Sequence, residues 1–294
     1  MSKYKGELFM LITALVWGSG FIGMAVGLEH WTVLQLMAFR FTLATILICL
    51  IFHKKLKYIS KSVLWKGAVL GTILFAGFTV QTYGLAYTTV SKNAFLTAIN
   101  VLIVPVIAYV IYKRKFDRYE IVAACMAIVG IGFLSLTNDF TMNFGDVLSI
   151  ACAILFAFDI FYTNVFVKTE DALALTIVQL ATASVLGLLG VFTLGEIPTT
   201  VTATGIGIIF YLAIFCTCVA YVCQNIGMQY ANPTKSAIIL SMESLFGTIF
   251  SVIILHELLT GRMIFGCFLI LMAVIFAEVK PKFKWSRRMD KLQS

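Results

Sequence analysis

The sequence predicts an all-α integral membrane protein, with ten transmembrane helices arranged as two inverted five-helix repeats. Three observations predict this. Hydrophobic residues make up 61% of the 294 and charged residues 12%, with a mean hydropathy of +0.98. A soluble domain carries about a quarter charged residues, so lipid must be the solvent for much of this surface. The apolar residues also fall into uncharged runs long enough to cross a bilayer. Finally, two segments repeat at a fixed distance. Gly84-Leu85-Ala86-Tyr87 and Ser91-Lys92-Asn93-Ala94 are echoed by Gly227-Met228-Gln229-Tyr230 and Thr234-Lys235-Ser236-Ala237, each 143 residues later, and Gln81 matches Gln224 at the same offset.

The ten runs are 8–28, 33–52, 67–88, 93–112, 121–137, 147–167, 172–194, 205–231, 236–255 and 261–279. The first follows Lys3 and Lys5 and is too long for a signal-peptide core, so it reads as an uncleaved span. A polar stretch over 196–205 divides the seventh from the eighth. Arg262 at the mouth of the tenth makes it the weakest. The connections are too short to hold a soluble domain. The repeats divide as 1–140 and 141–280, with a basic tail over 281–294.

The placement of charge sets the expected orientation. Nineteen of the 22 Lys and Arg lie at the N-terminus, in alternate connections or in the tail. Such loops stay on the cytoplasmic side, so both termini are expected there, in a cytoplasmic (plasma or inner) membrane. Five helices per repeat is an odd number, so the second copy enters from the opposite face. Inverted repeats of this kind build secondary transporters, with the binding site near the midplane between the halves. This topology explains the basic charge without nucleic acid.

Seven cysteines, at 49, 125, 152, 216, 218, 223 and 267, all fall in apolar runs without ligand spacing. They read as packing residues, with neither disulfide nor metal implied.

The residues also carry a family likeness. Glu243-Ser244-Leu245-Phe246, then 255–260 (Leu-His-Glu-Leu-Leu-Thr) and Gly266 resemble the end of the second repeat of EamA-type transporters, in the drug/metabolite transporter superfamily. Trp17-Gly18, Arg40-Phe41, Pro105 and Gly130 fit the same pattern. Ser244 departs from it, standing where proline is usual, and Lys113-Arg114-Lys115 stands where a Gly-Glu pair is common. The resemblance implies a ten-helix, 5+5 fold with a central cavity that moves small metabolites. Amino-acid exporters, sugar and choline permeases and drug exporters all share it.

Ionisable groups inside a bilayer are costly and mark function. Three qualify: Arg40, Asp159 and Glu243. Asp159 precedes Lys168 by nine residues and Glu243 follows Lys235 by eight, so at ~1.5 Å per residue both lie roughly 12–14 Å deep, near mid-membrane. Two carboxyls at one level suit a substrate ammonium or a coupling proton. Arg40 reads instead as a structural residue of the outer half. Polar and aromatic stripes at helical spacing surround them: Asn93, Thr97 and Asn100 on the fourth helix, Thr217, Tyr221 and Gln224 on the eighth, Tyr162 and Thr163 on the sixth, Trp17 on the first, and Tyr83 on the third. The substrate-binding candidates are therefore Trp17, Tyr83, Asn100, Asp159, Tyr162, Tyr221, Gln224 and Glu243, with Asp159 and Glu243 as coupling candidates. Helix-gluing polar residues and an interfacial tyrosine belt are the alternatives for any single position.

Aromatics beside carboxylates favour cationic or zwitterionic cargo. No mid-membrane pair of cations is present to clamp phosphate, and Lys92 and Lys235 read as snorkelling helix-end residues. The expected partners are a small-molecule substrate, the bilayer and protons, with no cofactor and a monomer or weak dimer. The expected role is a secondary transporter of a small amino-acid-like or cationic metabolite. The alternatives are a choline or quaternary-ammonium permease and a multidrug or sugar exporter. A non-transporting scaffold or sensor would need no mid-membrane acids. The sequence argues against an intramembrane enzyme or an ATP-driven pump, having no GxSG, HExxH or Walker motif.

Overall fold

A computed structural model describes residues 3–113, 118–136, 141–230 and 233–279; for 3–4, 228–230, 233–238 and 277–279 it describes the backbone alone. The basic tail over 281–294 and the side chains of Thr234, Lys235, Ser236 and Ala237 lie outside these.

Among the described residues every named element is helical. They are α1 (Lys3–Gly27), α2 (Val33–Ile51), α3 (Lys61–Tyr87), α4 (Val90–Thr97), α5 (Asn100–Tyr112), α6 (Arg118–Ser135), α7 (Phe144–Phe166), α8 (Ala172–Thr193), α9 (Ala203–Ala213), α10 (Ala220–Tyr230), α11 (Pro233–Ile254) and α12 (Gly261–Val279). A 3₁₀ turn over His53–Tyr58 follows α2, and a π-helical stretch over Ile214–Val219 joins α9 to α10. With α4–α5 and α9–α10 each counted as one rod, eight rods are long and apolar enough to cross a membrane. Two more, α11 and α12, are apolar over the shorter stretches Ile239–Ile254 and Gly261–Phe276. This is a multi-pass membrane protein.

The helices begin where a side chain can serve an orphan backbone N–H. Thr32, Ser60, Thr89, Asn143, Asp171 and Thr202 each accept a hydrogen bond from the first turn of the helix that follows. Thr32 and Gln35 form a full capping box, and the Gln35 amide also reaches the Glu196 carbonyl at 2.7 Å. In lipid such satisfaction is obligatory. The polar stretch after α8 is therefore tied to the start of α2.

The rods pack in a definite set of pairs. α1 lies against α10 and α11, α2 against α8 and α9, α3 against α7 and α8, α4 against α7 and α11, and α6 against α12. Small residues let the backbones approach. A Cβ on Gly71 would stand 2.4 Å from the Gln179 carbonyl oxygen, and one on Gly18 2.6 Å from the Phe246 Cβ.

Polar clasps close the two ends of the bundle. At one end Lys55 pairs with Asp171 at 2.6 Å, and Lys66 with Glu170, which also accepts from Ser62. The Lys66 and Ser62 hydrogen bonds hold the Glu170 carboxyl below its ordinary pKa. At the other end Lys92 pairs with the buried Asp146 at 3.2 Å, so its ammonium neutralises a carboxylate rather than merely snorkelling. Glu257 accepts from the Ser91 N–H at 3.1 Å and hydroxyl at 2.9 Å and from the Ser251 hydroxyl, joining the start of α4 to the end of α11.

The fourth rod is interrupted at residues 98–99, seven and six positions before Pro105 rather than at the proline itself. There the backbone shortens its reach, with Ile99 N–H bonded to the Leu96 oxygen (3.4 Å) and Leu102 N–H to the Ile99 oxygen (2.8 Å).

Among the described residues, two non-glycine residues adopt the left-handed backbone, Lys113 and His256, both at φ 55. They stand 143 positions apart, the offset of the sequence repeat. Left-handed backbone costs an ordinary residue about 1–2 kcal/mol, less the extra freedom glycine has in the unfolded chain. His256→Gly and Lys113→Gly are each expected to stabilise the protein by about 0.5–1 kcal/mol. A raised thermal midpoint of purified protein in detergent checks this; a lowered one refutes it.

Candidate functional site

A cavity of about 50 Å³ opens between α1, α2, α3, α4, α5, α7, α10, α11 and the π-helical stretch. Six of the eight candidate residues line it: Trp17, Asn100, Asp159, Tyr221, Gln224 and Glu243. They come from α1, α5, α7, α10 and α11, far apart in sequence.

Each is held in a particular way. The Trp17 indole N–H donates to the Cys216 carbonyl at 3.2 Å, and its ring meets Tyr221 edge-on with centroids 5.4 Å apart. The buried Asp159 carboxyl accepts from the Gln179 amide on α8 at 3.0 Å. Among the described residues, Glu243 makes no hydrogen bond or ion pair to another side chain. Gln81 also lines the cavity, so both members of the repeated glutamine pair face it. Its amide donates to Thr97 at 3.2 Å, while its buried Oε1 has no partner.

Tyr83 and Tyr162 are not among the lining residues. Tyr83 follows Gln81 by two positions, some 200° round the helix, and is 37% exposed. Tyr162 lies one turn beyond Asp159, but its ring stacks along α7 with Phe158 and Phe166, at 6.3 and 5.7 Å. Of the other stripe residues, Thr97 lines the cavity. Asn93 instead ties helices together, donating to Ser149 at 2.8 Å and to the Gln81 carbonyl at 3.1 Å.

Arg40, expected as a structural residue, lines the cavity as well. It is 1% exposed. Its Nε donates to Thr217 Oγ1 at 2.7 Å, one terminal nitrogen to the Cys216 carbonyl at 3.2 Å, and the other faces Met24 Sδ at 3.8 Å. The guanidinium carbon lies 4.3 Å from the centroid of Phe78. The π-helical stretch explains this setting. There the backbone bonds reach five residues back, as in Ala220 N–H to the Phe215 oxygen. The Thr217 hydroxyl likewise donates five residues back to the Leu212 carbonyl. The Cys216 carbonyl thereby receives both the indole and the guanidinium. Phe21, Phe78 and Phe156 complete the walls. Reading one helix at a time could not reveal these aromatics, because apolar residues look alike on lipid-facing and cavity-facing sides.

One cavity thus holds a guanidinium, two carboxyls, an unpartnered amide oxygen and aromatic faces. Among the described residues, no group of His, Cys, Asp and Glu is arranged to hold a metal.

The sequence matches the model of the EamA-like transporter family twice, over residues 4–136 and 143–278. The chain belongs to that family. Similar curated proteins are named as transporters. An uncharacterized transporter of Archaeoglobus fulgidus is 34% identical over 95% of this chain and 88% of its own length. The uncharacterized transporter YyaM of Bacillus subtilis is 25% identical over 82% of this chain and 83% of its own. Among solved proteins, one crystal structure matches this EamA-like chain with a TM-score of 0.67, covering 100% of both chains at 16% identity. At that identity the likeness speaks for the fold alone.

Proposed function

We propose that this EamA-like protein is a secondary transporter of a small amino-acid-like or cationic metabolite across the cytoplasmic membrane. It works by alternating access, with protons as the coupling ion, and catalyses no reaction. The observation that carries this reading is that Asp159 on α7 and Glu243 on α11 both line one cavity. A carboxyl there can neutralise a substrate ammonium or carry a proton.

Several features support two inverted five-helix halves. Let each rod stand for the rod five places on, with α4–α5 and α9–α10 counted as single rods. The pair α1 with α11 then becomes α7 with α4–α5, and α1 with α10 becomes α7 with α3; both partners of each exchange pack together. The pair α3 with α8 becomes α9 with α2, which also packs. The left-handed Lys113 and His256 fall at equivalent positions of the two halves. With the basic connections inside, both termini are cytoplasmic. The aromatic faces also favour a quaternary ammonium such as choline, but a guanidinium in the same cavity opposes a simple cation.

The test is purified protein in vesicles enclosing a pH-sensitive dye. Amino acids, choline and sugars are applied in turn. An amino acid or amine is expected to change the internal pH only when the protein is present. Movement of sugar alone, or no movement of any compound, refutes the reading. Substrate movement without a pH change refutes proton coupling alone.

A further inference from the structure

Arg40 is fully buried, yet among the described residues it has no carboxylate within ion-pair distance. All its partners are neutral: a hydroxyl, a peptide carbonyl, a thioether and an aromatic face. A guanidinium carries five N–H groups. The contacts with Thr217, Cys216 and Met24 use one on each nitrogen. One N–H therefore remains on each terminal nitrogen, the complement that a carboxylate takes in a two-pronged bond. A buried cation without a counter-ion is costly, and this one lines the same cavity as Asp159, Glu243 and the unpartnered Gln81 oxygen.

We propose that Arg40 is the carboxylate subsite of the cavity, and that the cargo is a zwitterion with its anionic end on Arg40 and its ammonium facing the acceptors Asp159, Glu243 and Gln81. This rests on the transporter reading and narrows it. A plain cation would meet Arg40 without relief, and a plain anion would meet two acids. A zwitterion satisfies both ends and leaves the net charge of the site unchanged. The cavity volume of about 50 Å³ suits a short side chain. One water needs about 10–15 Å³ on this measure, so the space suits a small ligand. A small α-amino acid fits that description.

The experiment uses matched ligands on the unaltered protein, so it does not depend on a variant that folds. L-alanine is compared with its methyl ester, which lacks the carboxylate, and with propionate, which lacks the ammonium. Binding is read by calorimetry, and movement by counterflow in vesicles. L-alanine is expected to bind at least tenfold more tightly than either. Arg40→Lys, which keeps the charge but loses the fork, is expected to weaken L-alanine at least tenfold and to narrow the acid-to-ester ratio. Equal binding of L-alanine and its ester overturns the Arg40 subsite, and if either is transported the transporter reading survives. Counterflow of choline with no binding of L-alanine has the same meaning. If no amino acid, amine or sugar is moved or bound, both readings fail.

Discussion

Asp159→Asn and Glu243→Gln are each expected to reduce transport about 100-fold or more while leaving a folded protein. Removing one partner from a buried charged contact costs about 2–5 kcal/mol, and some 2.7 kcal/mol already corresponds to a hundredfold change. The two substitutions are close in shape to the originals. At position 159 the asparagine keeps a carbonyl oxygen for the Gln179 amide, which now sits 3.0 Å from the carboxyl. At position 243 no described side chain loses a hydrogen-bond partner. Folding should therefore persist, seen as an unchanged elution profile and thermal midpoint. Only the capacity to neutralise an ammonium or carry a proton is removed. Uptake by reconstituted vesicles measures the effect, and near-normal rates in both variants would remove the acidic site from the mechanism.

Gly71→Ala is expected to destabilise the bundle by about 2–3 kcal/mol, lowering the thermal midpoint by about 5–10 °C. The added methyl would lie 2.4 Å from the Gln179 carbonyl oxygen and 2.6 Å from the Thr182 Cβ. Backbone is the obstacle, so α3 and α8 must separate. Gln179 is also the residue that holds Asp159, so the same shift loosens the site. Gly207→Ala is the control. Nothing lies within 4 Å of a Cβ at that position on α9, so it should leave the midpoint unchanged or raise it slightly. Equal behaviour of the two variants would show that the α3–α8 contact is not close-packed.

The helices were legible because lipid enforces long uncharged runs, and nothing else explains a chain this apolar. The acids at Asp159 and Glu243 were legible for the opposite reason: a charge inside such a run needs a purpose. Depth along a helix could be counted from Lys168 and Lys235, but direction around it could not. Tyr83 and Tyr162 were drawn in by spacing alone, and the structure turns Tyr83 outward and stacks Tyr162 on its own helix. Arg40 was assigned to structure because its partners, Thr217 and Cys216, lie more than 170 residues away. No local pattern carries that information.

The π-helical stretch also bears on how the two halves diverged. Ser60 caps α3 and Thr202 caps α9, 142 positions apart, whereas Gln81 and Gln224 further along are 143 apart. The difference is one residue, and Ile214–Val219 lies between the two markers. An extra residue in a regular helix would swing everything beyond it by about 100°. Here the wider turn absorbs it, and both glutamines still face the cavity. The second half thus carries one more residue between cap and glutamine without reorienting the helix. The same wider turn leaves the Cys216 carbonyl to anchor both Trp17 and Arg40.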